Sequence, residues 1–258
     1  MDRPLPRPDT RPYRLHGRNH RPVHKGRPGL SASRLGSGLG HAVFDLDGTL
    51  VDSVVLCAEI LNAMLADRGA DLRLSIDDTR PHVTAGGPAM IAALLGGHCG
   101  EVSAAVGEFR ERYAAMPTPP ASLYPGVREG LRRLRRRGVG LAIFSNKPQH
   151  LCDKVMAELD LGGLFDAIVG TSAGVPLKPD PTGLDLALAR AGGTRARCCF
   201  VGDSDGDHAL ALGAGIPLVM VGYGYGEAGR SWPGALAAAD FATVPDLVAD
   251  LLAARDAA

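Results

Sequence analysis

At 258 residues the chain can bury one substantial core, or one core with a smaller appended unit. A hydrophobic share of 45% and a charged share of 22% are those of an ordinary soluble globular protein, and no apolar stretch approaches the roughly 20 residues needed to span a bilayer. The formal net charge is +0 but uneven: residues 1–40 hold nine Lys or Arg against two Asp, leaving 19 basic and 26 acidic groups for the rest.

Residues 1–40 repeat Arg-Pro, contain six Pro and six Gly, and follow no hydrophobic period, so a disordered basic tail is expected there. It lacks the apolar run of about 7–15 residues that a secretory signal needs. Such a tail is either a basic arm for nucleic acid or an acidic partner, or a dispensable extension, and the second is simpler. Five Cys form no CxxC pair, and Cys198 with Cys199 sits inside an apolar run, which points to buried thiols and a cytoplasmic protein.

From His41 onward short apolar runs alternate with helical patterns. Strands are predicted at 41–44, 139–144, 166–170, 198–202 and 217–223, and helices at 126–137, 148–159, 181–191 and 207–214. This alternation predicts an α/β fold, a doubly wound parallel sheet covered on both faces. Residues 54–116 break the pattern with three helical segments and no convincing strand; Ile60 with Met64 and Leu61 with Leu65 mark one inward face. The expected organisation is a core of 41–53 and 122–258, a helical cap inserted at 54–121, and a proline-stiffened return hinge at 116–126.

In an open parallel sheet, ligands bind beyond the carboxyl ends of the strands. There the sequence places Asp45, Asp47, Gly48 and Thr49; then Ser145, Asn146 and Lys147; then Lys178; then Asp203, Ser204 and Asp207. Two carboxylate pairs, a hydroxyl and an ammonium group suit phosphoryl transfer with a divalent metal. Carboxylate oxygens suit Mg²⁺, and a lysine with the metal offsets the repulsion between an anionic nucleophile and a phosphate. One carboxylate can attack phosphorus while another exchanges protons with the leaving alcohol and with water. Gly48 lets the backbone approach, and the helix beyond Ser53 is expected to turn N–H groups toward the anion.

Simpler readings fail. An EF-hand loop starting at Asp45 would need Gly at its sixth position and Glu at its twelfth, where Leu50 and Leu56 stand; one starting at Asp203 meets His208 and Ala214. No GxSxG surrounds Ser145, and His82, His98 and His208 have no ligand-like spacing.

DLDGTLVDS, SNK, LKPDP and GDSDGD, in that order across residues 41–223, resemble the four motifs of the haloacid dehalogenase-like superfamily. The resemblance implies Asp45 as nucleophile and Asp47 as general acid/base, whose presence favours a phosphatase over a true dehalogenase. It implies Ser145 on the transferring phosphoryl group, with Gly48, Thr49 and Asn146 beside it, and Lys178 between nucleophile and phosphate. Magnesium would be held by Asp45, Asp203 and Asp207, with the Asp47 carbonyl. The cap position, with SLYPGV, SNKPQH and GYGYG, is most similar to phosphoglycolate phosphatases, implying hydrolysis of a small phosphomonoester. Within the superfamily the alternatives are a sugar-phosphate phosphatase, a nucleotidase or pyrophosphatase, and a phosphomutase; outside it, an inactive phosphate-ester-binding or partner-binding module. Arg80, in the loop TRPHVTAGG (79–87), is a candidate to hold a substrate carboxylate.

Overall fold

The computed structural model describes residues 39–227 and 230–256. The expected basic tail therefore lies, but for its last two residues, outside the described part. The sheet has six parallel strands in the order β3-β2-β1-β4-β5-β6. They are β1 (Gly40–Phe44), β2 (Val139–Pro148), β3 (Ala167–Thr171), β4 (Cys198–Gly202), β5 (Leu218–Val221) and β6 (Ala235–Ala238).

Because strand side chains alternate between faces, the apolar runs divide into two cores. Phe44, Ile143, Cys199 and Val201 pack on one side, and Val43, Phe144, Cys198 and Phe200 on the other. The first side is covered by α5 (Val127–Arg136), α6 (Gln149–Glu158) and α9 (Val244–Asp256), through Leu131, Leu134, Leu151, Val248 and Leu252. The second is covered by α7 (Thr182–Ala191) and α8 (Asp205–Ala214), through Leu184, Leu188 and Leu210. All five Cys are buried free thiols.

Two elements were not expected. Strand β6, with sequence ALAA, has neither β-branched residues nor alternation; pairing with β5 alone makes it a strand. Helix α9 then closes back over β1, β4 and β5. Strand β2 also outruns its predicted end, since Pro148 pairs with Thr171 after an irregularity in register.

Between β1 and α5, the described chain contains no strand longer than an isolated bridge. It forms α1 (Val54–Asp67), α2 (Ile76–Thr79), a 3₁₀ segment (Arg80–Ala85), α3 (Gly87–Leu95) and α4 (Val102–Ala115). The stretch 79–87, expected as a loop, is thus largely helical. Ile60, Leu61, Met64 and Leu65 are buried, as their spacing predicted, and belong to the same continuous apolar cluster as the sheet. The outgoing and returning segments run side by side: Val51 bridges Leu123, the Asp52 N–H donates to the Ser122 carbonyl (2.7 Å), and the Tyr124 N–H to that of Leu50 (3.1 Å). No single helix among the described residues is long and apolar enough to cross a membrane.

Gly183, in the first turn of α7, tests how tightly the second core is filled. Alanine in a helix is ordinarily favoured over glycine by about 1 kcal/mol. Here a Cβ would stand 2.1 Å from the Phe144 ring, and overpacking of that kind costs about 1–3 kcal/mol. Gly183→Ala is expected to lower the urea midpoint; a raised midpoint would show the core to be looser than its geometry implies.

Candidate active site

The ends of β1, β2 and β4, with the loop after β3, place their polar side chains around Lys178. Its Nζ lies 2.8 Å from Asp45 Oδ2 and 2.7 Å from Asp207 Oδ1, and its side chain is 1% exposed. Burial alone would depress the ammonium pKa, but the Asp207 and Asp45 carboxylates more than reverse this and hold it above the ordinary lysine range. The Lys178 backbone N–H donates to Asn146 Oδ1 (2.8 Å), which ties the LKPDP loop to β2. Asn146 therefore lines the site and also positions Lys178.

Asp203 and Asp207 flank the start of α8. Asp203 Oδ1 accepts from the Thr49 hydroxyl (2.8 Å) and Oδ2 from the Tyr225 N–H (2.8 Å). Two glycines make room for this carboxylate: a Cβ on Gly48, which sits at φ +85, would stand 2.2 Å from Asp203 Oδ2, and one on Gly224 2.4 Å from Asp203 Cβ. Asp207 and Ser204 form a capping box. Asp207 Oδ2 accepts from the Ser204 hydroxyl (2.7 Å), the Ser204 N–H (3.0 Å) and the Asp203 N–H (3.1 Å).

Oxygen atoms of Asp45, Asp203 and Asp207 lie within 4.8 Å of one another, all three residues buried. Burial pushes the Asp45 carboxyl up to about 6 despite the nearby Lys178. Asp203 is pushed well above the carboxylate range by burial and by Asp207 and Asp45. One lysine thus leaves three buried carboxylates short of positive charge. Oxygen-only donors with that shortfall fit a hard divalent cation such as Mg²⁺. Asp207 is the most heavily engaged of the three, with Lys178 on Oδ1 and three donors on Oδ2, against one partner per oxygen on Asp45 and Asp203.

Asp47 has a separate partner. Lys147 Nζ contacts both of its oxygens, at 3.0 and 2.9 Å, and lies 4.3 Å from the centre of the Tyr113 ring on α4. The sequence reading placed Lys147 at a strand end but gave it no role; its signal was to be one of only four lysines and to close the SNK motif. Ser145 is 2% exposed, and its hydroxyl accepts from the Lys147 N–H (3.3 Å).

Asp45, Asp47, Ser145, Asn146, Lys147 and Lys178 all line one chamber of about 300 Å³, closed on its far side by α3 and α4. Other expected members lie elsewhere. Thr49 is wholly buried, its hydroxyl spent on Asp203, and Gly48 shapes the turn against that same carboxylate; neither lines the chamber. Arg80 does not reach it either: its guanidinium lies 3.5 Å from Asp52 and stacks over Tyr225. At the root of α1 the Tyr225 hydroxyl accepts from the N–H groups of Ser53 (2.7 Å) and Val54 (3.2 Å), so these two are not free for an anion. Cys57 lines the chamber, but burial pushes its thiol up to about 12, so it stays protonated.

Residues 40–215 match the haloacid dehalogenase-like hydrolase family. A phosphoglycolate phosphatase of Pseudomonas savastanoi pv. phaseolicola is 35% identical over 171 residues, covering 64% of this chain and 62% of its own length. The chain therefore spans somewhat under two thirds of that relative. One of Xanthomonas campestris pv. campestris is 35% identical over 167 residues, covering 64% of this chain and 75% of its own. Among solved structures, a predicted phosphoglycolate phosphatase from Haemophilus somnus 129pt superposes with a TM-score of 0.69 at 25% identity, covering 81% of this chain and 97% of the other.

The raised Asp45 has a thermodynamic consequence. Its carboxyl titrates near 6 in the metal-free fold against 3.8 ordinarily, so the folded state holds the extra proton in that window and stability falls as pH rises through it. Asp45→Asn removes the penalty. Without metal at pH 7.5, this variant is expected to melt on the order of 5 °C above the parent, with the gap closing toward pH 4. Added Mg²⁺ should raise the melting temperature of the parent more than that of the variant. Calorimetry showing a lower melting temperature for Asp45→Asn at pH 7.5 would contradict the electrostatic account.

Proposed function

The chain belongs to the haloacid dehalogenase-like hydrolase family, and from that premise we propose that it is a Mg²⁺-dependent phosphatase acting on a small phosphomonoester, with phosphoglycolate the first substrate to test. The reading is carried by one arrangement: Asp45 held 2.8 Å from the buried Lys178, with Asp203 and Asp207 beside it and Asp47 in the same chamber. The phosphoglycolate phosphatases among its relatives supply the substrate class.

Asp45, Asp203 and the Asp47 carbonyl would hold the metal, which when bound supplies positive charge for the phosphoryl oxygens. Lys178 adds a second positive charge, fixed before substrate arrives, so little reorganisation is needed as charge shifts. Ser145 offers its hydroxyl to a phosphoryl oxygen. A carboxylate oxygen of Asp45 attacks phosphorus, the P–O bond to the alcohol breaks, and Asp47 gives the alkoxide a proton. Asp47 then takes a proton from water as that water attacks the aspartyl-phosphate, releasing phosphate and restoring Asp45. Lys147, bound to both Asp47 oxygens, fixes the direction from which that carboxyl meets the leaving group. Asp207 holds Lys178 in place.

We read residues 54–121 as a cap over this chemistry. Tyr113 of α4 covers the Lys147 ammonium, which favours a closed arrangement that sheds water around the reacting groups.

Phosphate release from 4-nitrophenyl phosphate tests the mechanism. EDTA should abolish turnover and Mg²⁺ restore it, and Asp45→Asn should reduce kcat by about 10³-fold or more. Because nitrophenolate leaves without a proton, Asp47→Asn is expected to give one rapid burst of nitrophenol per active site and then stall, lacking a base for water. Unchanged turnover in Asp45→Asn would refute the nucleophile assignment; slow release without a burst in Asp47→Asn would move the acid/base role elsewhere.

A further inference from the structure

Helix α4 presents Val106, Phe109, Arg110 and Tyr113 to the chamber, at the i, i+3, i+4, i+7 spacing that keeps side chains on one helical face. Arg110 is the only charged residue that the helical segment contributes to that lining. The chamber's two lysines are already matched, Lys178 by Asp45 and Asp207, and Lys147 by Asp47. Arg110 has no hydrogen bond or ion pair among the described residues.

Nearby carboxylates do not supply one. Glu108 is taken by Arg68 and Arg112, and Glu101 accepts from the Ser103 hydroxyl and from two N–H groups at the start of α4. Of the segment's other arginines, Arg68 pairs with Glu108, Arg80 with Asp52 and Arg112 with Asp67, whereas Arg73 is exposed and does not line the chamber. One turn along, the buried Tyr113 hydroxyl also lacks a partner. An unmatched guanidinium thus stands on the wall of the chamber that also holds Asp45, Ser145 and Lys178.

We propose that Arg110 is the specificity residue for the alcohol half of the substrate, pairing with a second anionic group, a carboxylate or a phosphate, carried at the end remote from the scissile phosphoryl group. A planar guanidinium donates two parallel N–H bonds to either anion, and part-burial in an apolar wall strengthens the pair. A neutral end would leave that charge unmatched. This inference rests on the phosphatase reading and replaces Arg80 with Arg110 as the anion reader.

The test measures kcat/KM for three esters: phosphoglycolate, 2-hydroxyethyl phosphate, which has a neutral end, and 1,3-propanediol bisphosphate, whose second anion is a phosphate. In Arg110→Gln and Arg110→Met, the ratio of an anionic ester to the neutral one should fall about 10- to 100-fold, mainly through KM. Arg110→Lys, which keeps the charge but loses the fork, should retain an intermediate ratio. Making both neutral variants keeps the test standing if one misfolds. The anionic ester with the larger loss identifies which anion Arg110 reads. Unchanged ratios, or equal losses on all three esters, would overturn the proposal, since a merely structural residue affects every ester alike. Parent protein that turns over none of the three would refute the phosphatase reading instead. Calorimetric binding of the same esters to Asp45→Asn, with and without Arg110→Gln, then decides on Arg110 separately: a lost preference for the anionic esters supports it, a retained one overturns it.

Discussion

A single buried ammonium group, Lys178, makes the carboxyl edge of this sheet possible. Three carboxylates converge there, and burying even one unpaired charge is costly. Lys178 reaches two of them at hydrogen-bonding distance, and the third is met by a hydroxyl and a backbone N–H. The balance stays short: burial and the neighbouring carboxylates push both Asp45 and Asp203 upward despite Lys178. A bound cation would relieve the same shortfall.

The surrounding structure serves that cluster. Gly48 and Gly224 exist as glycines where Asp203 presses against backbone, and Asn146 gives its side chain to the loop that carries Lys178. Tyr225 joins two parts of the site, its N–H on Asp203 and its hydroxyl on the first turn of α1. That contact fixes the root of the helical segment to Asp203. At the far end of the same segment, Tyr113 lies against the lysine that grips Asp47. Both ends of the segment therefore touch the carboxylate-bearing edge of the sheet, at Asp203 through Tyr225 and at Asp47 through Lys147.

Five of the six strands were legible as apolar runs because a parallel strand buried on both faces needs nearly every residue apolar. The four polar clusters were legible because charges directly after such runs are too costly to be incidental. Strand β6 was not, because Ala-rich ALAA becomes a strand only by lying against β5. The partners of Thr49 and Arg80 are not legible in the sequence, for a common reason. Each is near the site in sequence, but direction decides function: the Thr49 hydroxyl turns to Asp203 and Arg80 turns to Asp52. Arg110, within a run of charges in EFRERY, was hidden by its neighbours, since only the packing of α4 separates the arginine that enters the chamber from Arg112, which pairs outside it.

By itself the sequence determined five of the six strands, the order of their loops and the chemical kind of the groups they carry, because periodicity and the cost of buried charge act locally along the chain. Which cation meets which anion was decided only by the tertiary structure. Lys147 on Asp47, Lys178 between Asp45 and Asp207, and Arg110 left unmatched are pairings across about 30 to 100 positions or more, set by where helices and strands come to rest. Electrostatic partnership depends on a few ångströms of distance, and no spacing along a chain encodes that distance until the chain is folded.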